Sequence, residues 1–255
     1  MTKGWWVKLV VYTNNKSDPL PEDCPKCWYP ELSEMSDNTI SFYALYQQLL
    51  AAYGPQLGWW PADDPFEIAI GAILTQNTRW QNVEKALANL KQAGLLNCVA
   101  LLETPLSELA AHIRPAGYYN QKAASLANLC RYLTAAGGLT VLAKTPHHET
   151  RSALLAVKGI GPETADDILL YALHQPVFII DVYTRRLFAR YGLIQGDERY
   201  AKIQAMVEQA LPTDVAMYQA YHALIVQHAQ HACRKQPQCM DCAVQAHCSQ
   251  RGVMH

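Results

Sequence analysis

Leu155-Ala-Val-Lys-Gly-Ile-Gly-Pro-Glu-Thr-Ala165 is the stretch that decides the fold. Its core is Gly159-Ile160-Gly161, followed by Pro162 where a helix would begin. Proline is tolerated at that position because a first-turn N–H has no intrahelical partner to lose. Two glycines around one apolar residue close a tight hairpin between helices, with Ile160 expected to plug it into the core. The exposed amides and the positive end of the helix dipole then suit a phosphate. The segment, over about residues 150–174, reads as a helix-hairpin-helix that holds a nucleic-acid backbone without reading its sequence. A plain helix corner capped by glycine is the competing reading for G-x-G alone; Thr164-Ala165 and the neighbouring motifs favour the hairpin. Lys158, Gly159, Ile160, Gly161 and Thr164 are the candidate backbone contacts.

Downstream, Asp181 emerges from the apolar run Val177-Phe178-Ile179-Ile180 and continues into Val-Tyr-Thr-Arg-Arg. A carboxylate at the mouth of a helix is either an N-cap or a catalytic group held at a helix terminus. Position alone leaves both open.

Near the C-terminus, Cys233, Cys239, Cys242 and Cys248 read as C-x5-C-x2-C-x5-C. Four thiolates so close in sequence can surround one Zn or one iron–sulfur cluster. Structural Zn takes two close pairs separated by a longer loop. One close pair flanked by wider gaps on both sides fits the larger [4Fe–4S] cluster better.

Around these motifs the chain is helical almost throughout. Phe42, Leu45, Tyr46, Leu49, Leu50 and Tyr53 fall at the spacing of one buried helical face. Asp64-Pro65 is a cap and first turn for an apolar helix at 66–74. Further helices are expected at about 80–93, 105–112, 120–136, 148–156, 162–174, 182–191, 198–210 and 214–231. Residues 177–180 are the one strand-like run, too short and solitary for a sheet, so the fold class is all-α. Residues 1–38 differ, carrying Pro19, Pro21, Pro25, Pro30 and an isolated Cys24-Pro-Lys-Cys27. A poorly ordered extension is expected there, then helical domains over 39–232 and a cluster loop and tail over 233–255.

The chain has 255 residues, half of them hydrophobic, which allows a sizeable core. Its net charge of −1 gives no bulk support for a nucleic-acid partner, so that claim rests on local motifs. Eight cysteines without a secretory signal point to a reducing compartment. No long apolar run suggests a membrane span. A monomer in the cytoplasm is expected, associated with the nucleoid if the source is bacterial.

Gly159-Ile-Gly161, Asp181 and the four C-terminal cysteines, in this order, resemble the endonuclease III superfamily of base-excision DNA glycosylases. The likeness covers roughly residues 40–250. It implies two helical domains with the hairpin and Asp181 at a cleft between them, a [4Fe–4S] cluster, and double-stranded DNA with damaged bases as partner. The first cysteine gap is five residues here and six in the family. Bifunctional members carry a lysine two residues after the second hairpin glycine, the amine that attacks C1′ and allows strand cleavage. This chain has Glu163 there. The resemblance therefore implies a monofunctional glycosylase in which Asp181 stabilises positive charge at C1′ and handles the attacking water.

Trp59-Trp60-Pro61 and Leu74-Thr-Gln-Asn-Thr-Arg-Trp80 supply three tryptophans near the expected cleft. With Gln76-Asn77-Thr78 they resemble the 3-methyladenine DNA glycosylase branch, in which aromatic groups hold a cationic alkylated purine flipped from the helix. Trp59, Trp60 and Trp80 are then the candidate base pocket, and Gln76 matches the residue that fills the space left by the base. Arg114, Lys122, Arg185 and Arg186 are candidate phosphate contacts. Two other readings stay open: a bifunctional endonuclease III-type lyase on oxidised pyrimidines, and a non-catalytic iron–sulfur DNA-binding protein.

Overall fold

Ser41 starts the first helix by accepting the Ala44 amide at 3.0 Å, and the apolar spacing downstream buries one face. In this computed structural model that helix, α1, is Phe42–Tyr53. The residues described are 40–253, except 57 and 63. The expected extension at 1–38, with Cys24 and Cys27, lies outside them. The second helix, α2 (Pro65–Leu74), is capped by Asp64, whose Oδ1 accepts from Phe66 and Glu67, with Pro65 in its first turn. Every residue from Ile68 to Leu74 is buried. A helix apolar on all sides must sit at the centre of a fold, and α2 does.

Ten further helices follow among the described residues: α3 (Trp80–Gln92), α4 (Cys98–Glu103), α5 (Leu106–His112), α6 (Tyr119–Ala135), α7 (Leu139–Leu142), α8 (His147–Ala156), α9 (Pro162–Asp167), α10 (Val182–Tyr191), α11 (Tyr200–Ala210) and α12 (Val215–His231). Single 3-10 turns occupy Arg114–Ala116 and Gln245–His247. No strand occurs among the described residues. The fold is all-α.

The helices gather in two groups within one compact unit that begins at Ile40. In one, α6 packs on α4 and α5, and α2 leans on α3 and α6; in the other, α12 packs on α1 and α10. The segment running from α9 joins them, touching α2, α8 and α12.

That joining segment departs from the expected single helix at 162–174. After Asp167 it widens into a π-helical turn, Ile168–Ala172, and all five residues are buried. Such wide turns recur at functional sites because they re-aim side chains within an otherwise regular helix. Here the turn carries Tyr171.

Residues 177–180 are buried yet pair with no strand. Side chains of the next elements satisfy their backbone instead. Phe178 N–H donates to Glu208 Oε1 at 2.8 Å, Ile180 N–H to the Tyr200 hydroxyl at 3.2 Å, and Gln204 donates to the Phe178 carbonyl at 2.7 Å. An apolar run can lie in a helical core when each polar backbone group finds a partner. Buried Asp166 is tied into the same region by Arg151, Tyr200 and Gln204.

Candidate active site and nucleic-acid interface

The chain leaves α8 at Val157, reverses through the glycines and enters α9 at Pro162. Gly159 adopts φ +100°, and a Cβ there would stand 2.0 Å from Ser125 Oγ and 2.7 Å from Ser125 Cβ. Both the left-handed backbone and the approach of α6 therefore demand glycine. Ile160 is buried, while Lys158 and Gly159 face solvent. Gly161 caps α9 with no side-chain acceptor, and the space beside it is open.

The loop after α2 and helix α6 meet at this hairpin. Gln76, just beyond α2, donates from Nε2 to the Gly159 carbonyl at 3.1 Å and to Thr164 Oγ1 at 2.9 Å. Asn128 of α6 donates to the Lys158 carbonyl at 3.0 Å. Lys122 donates to the carbonyls of Leu74, at 2.9 Å, and Ala116, at 2.8 Å, so the loops after α2 and before α6 are pinned together. Tyr118 stands on the second of these loops, 65% exposed and with φ +46°.

Several expected phosphate contacts are corrected here. Lys122 is 2% exposed, and burial lowers its ammonium to about 8; its hydrogen bonds serve helix ends instead. Arg185 turns inward to the carbonyls of Gly196 and Glu198, and Arg186 to those of Cys233 and Ala229. Arg114 remains exposed beside the Tyr119 ring. A basic residue in a helix satisfies a buried carbonyl wherever its stem reaches one, and sequence spacing does not reveal that.

Asp181 is buried at the start of α10. Its Oδ1 accepts the Thr184 amide at 2.7 Å, an N-cap bond, while Oδ2 stands 3.7 Å from His222 Nε2 on α12. The cap bond and a free, aimed oxygen coexist in one carboxylate. Burial works to raise its pKa, but the nearby His222 and the hydrogen bond from the Thr184 amide prevail and hold it below the ordinary 3.8.

Glu163, on the exposed side of α9, behaves oppositely. Desolvation by surrounding protein atoms and the Asp181 charge raise its carboxyl to about 7, against an opposing pull from His222. Asp167, one turn on, is pushed well above its ordinary value by burial and then by the charges of Glu163, Asp181 and Asp166. Sequence reading missed His222 and Asp167, since neither lies in a motif.

The three tryptophans are half-buried against the core. Trp60 is the hub: its ring lies 5.6 Å from Trp80 edge-on and 5.1 Å from Tyr171. Gly71 of α2 leaves room for it, since a Cβ there would meet Trp60 at 3.1 Å. Trp80 donates to Glu84 at 3.0 Å, while Trp60 Nε1, buried, has no hydrogen-bond partner among the described residues. Trp59 makes no ring contact with this group among those described.

Cys233, Cys239, Cys242 and Cys248 line one cavity with Arg190 and His228. Among the described residues no three metal-ligating side chains stand close enough to hold a single ion. The thiols nonetheless sense one another: burial first, then the charges of the other cysteines, raise Cys242 and Cys248. Arg190 Nη1 approaches Cys233 Sγ at 3.5 Å and His228 Nε2 approaches Cys242 Sγ at 3.6 Å.

A family model described as HhH-GPD superfamily base excision DNA repair protein matches residues 70–213, which span the α2 core, the hairpin and Asp181. The chain belongs to that superfamily. It is a base-excision-repair DNA glycosylase of the HhH-GPD type. It is 44% identical over 218 residues to the "Putative DNA repair glycosylase" of Methanocaldococcus jannaschii, covering 84% of this chain and 99% of that one. It is 26% identical to endonuclease III of Escherichia coli (strain K12), over 72% of this chain and 83% of that one. Among solved structures, the H. pylori 3-methyladenine DNA glycosylase bound to 1,N6-ethenoadenine matches with TM-score 0.65 and 29% identity, over 74% and 96% of the two chains. A trapped covalent endonuclease III–DNA intermediate shares the fold, with TM-score 0.73 at 21% identity, over 85% and 97%. No helix of the described HhH-GPD chain is long and apolar enough to cross a membrane.

Proposed function

We infer that this HhH-GPD protein is a monofunctional glycosylase that hydrolyses the N-glycosidic bond of a damaged base, an alkylated purine in double-stranded DNA. The observation that carries the reading is the pair of carboxyls around His222. Asp181 is held ionised with one oxygen free, and Glu163 occupies the position where a lyase needs an amine. Environments that push two titratable groups apart mark a division of labour. The Asp181 charge stabilises the oxocarbenium-like state as the C1′–N bond breaks and the base leaves with the bonding electrons. Water adds at C1′, and Glu163, poised near neutrality, takes its proton. No carboxylate forms a Schiff base, so the product is an intact abasic site.

The hairpin is the backbone grip, with Lys158, Gly159 and Gly161 at the phosphates, while Thr164, expected to join them, is buried beneath Gln76; Ile160 anchors the turn, and Gln76 stands beside it at the extruded nucleotide. Trp60 and Trp80, with Trp59 nearby, supply aromatic faces for a cationic base, whose charge already makes it a good leaving group. The likeness to the H. pylori 3-methyladenine DNA glycosylase supports this choice of lesion. Cys233, Cys239, Cys242 and Cys248 fit a [4Fe–4S] cluster by donor type and shared cavity. When bound, the cluster supplies a covalent brace rather than chemistry. Arg190 and His228, beside Cys233 Sγ and Cys242 Sγ, would donate to the cysteine sulfurs that hold it.

The test is a panel of lesion duplexes incubated with wild-type protein and with Asp181→Asn, each analysed with and without alkali. Asparagine caps a helix about as well as aspartate, so the variant should fold and bind DNA yet lose excision by roughly 10²-fold or more. Near-wild-type excision would leave Asp181 a cap alone. Preference for oxidised pyrimidines would overturn the alkylated-purine reading.

A further inference from the structure

The candidate site holds two polar groups that the proposed chemistry leaves unused, Tyr171 in the π-helical turn and His222 in α12. Their contacts run in a line. The Tyr171 hydroxyl stands 2.8 Å from His222 Nδ1, and His222 Nε2 faces Asp181 Oδ2 at 3.7 Å. At the other end, the Tyr171 ring lies 5.1 Å from Trp60. All of Tyr171, His222 and Asp181 are buried.

We propose that Tyr171 and His222 are a positioning pair for Asp181, fixing the imidazole so that its Nε2–H faces the carboxylate oxygen not used in capping. The inference rests on the reading of Asp181 as the carboxylate at the reacting carbon.

Hydrogen-bond chemistry selects the tautomer. Burial first, and then the negative charges of Asp167 and Asp181, keep the Tyr171 phenol protonated. It therefore donates to Nδ1 of a neutral imidazole, whose one proton then resides on Nε2, pointing at Asp181 Oδ2; an imidazolium carries a proton on Nε2 as well. The alternative tautomer would place two lone pairs face to face in a buried site.

A histidine that merely fills the core satisfies both of its nitrogens. Here Nε2 is buried and has no hydrogen-bond partner among the described residues. At 3.7 Å it is beyond hydrogen-bond range but within a small side-chain shift of it. Asp181 Oδ1 is already anchored on Thr184, so such a shift would change only the direction of the free oxygen. The π-helical turn matters because it places Tyr171 between Trp60 and His222. A base settling against Trp60 presses on the ring that orients the imidazole, so pocket filling and carboxylate alignment share one path.

Single-turnover excision, Kd for a duplex carrying a tetrahydrofuran abasic analogue, and Tm would be measured for Tyr171→Phe, His222→Phe and His222→Gln, alone and in Asp181→Asn. Tyr171→Phe keeps the ring and its packing, so it should fold even if the histidine variants do not. The expected result is a loss of about 10–100-fold in rate for Tyr171→Phe and His222→Phe with Kd within about twofold, and partial recovery with His222→Gln, which keeps an N–H donor. Tyr171→Phe combined with His222→Phe should be no slower than His222→Phe alone, and neither change should matter in Asp181→Asn. A rate unchanged by Tyr171→Phe, or a loss that persists equally in Asp181→Asn, would overturn the pair. An active Asp181→Asn would instead overturn the reading of Asp181 itself.

Discussion

Gln76 and Gly159 are joined across 83 positions of sequence: the Gln76 side-chain amide donates to the Gly159 carbonyl at 3.1 Å. The loop after α2 is thus tied to the hairpin that opens α9. A residue proposed to stand beside an extruded nucleotide is held by the element proposed to grip the backbone.

Gln76→Ala removes this tie and the second bond to Thr164 Oγ1. Gly159 is exposed and Thr164 buried, so Tm should fall by a few degrees. Affinity for lesion duplex should weaken by about tenfold more than affinity for undamaged duplex, measured by fluorescence anisotropy at fixed salt. An equal loss on both duplexes would assign Gln76 to general backbone binding.

Gly159→Ala should destabilise the fold by about 2–4 kcal/mol, because the new Cβ meets Ser125 and the backbone sits at φ +100°. Chemical denaturation would measure the loss. Ser125→Gly should recover part of it, since removing the Ser125 side chain clears the nearest contacts, and a double-mutant cycle isolates that coupling. A merely conformational role for Gly159 predicts no recovery.

Glu163 gives two pH signatures. If it takes the proton from water, excision should decline as pH falls through about 7, and Glu163→Gln should lower the rate and flatten that limb. Stability has the opposite sense. With a folded pKa of about 7 above the ordinary 4.5, the folded state binds more protons between those values. Stability from this group is therefore present below about 4.5 and lost as pH rises through about 7. Thermal melts should find Glu163→Gln at least as stable as wild type at pH 8, with the two converging at low pH. Borohydride should trap no covalent adduct with wild-type protein, and a strong trapped band would reverse the monofunctional reading.

The purified protein should be yellow-brown and contain about four iron and four sulfide per chain, as a [4Fe–4S] centre requires. Cys239→Ser should lower iron content, folded yield and DNA affinity together. A colourless protein containing one Zn per chain would replace the cluster assignment.

Much of this protein was legible in its sequence because local rules carry it. Ser41, Asp64 and Asp181 each accept an amide two or three residues on, so helix starts are written within a turn. The 182–191 helix begins and ends where its sequence indicates. Gly159 is required partly by its own backbone angle, which the G-x-G pattern announces. Short α4 and α7 escaped because helices of six and four residues carry too few positions for periodicity to register.

What only tertiary structure decided are pairings between distant segments. Lys122 reads as a surface cation and turns out to bind two buried carbonyls, one of them 48 positions away. The widening at Ile168–Ala172 is invisible in a continuous apolar run, since the choice between α and π geometry depends on how the turn packs against α2 and α12. Tyr171 and His222 are 51 positions apart, and no spacing rule links them. The sequence by itself determined the helix caps and the glycine hairpin, because those interactions close within a few residues. The surroundings that hold Asp181 charged and Glu163 near neutrality arise only when α9, α10 and α12 converge, because burial and charge act through space rather than along the chain.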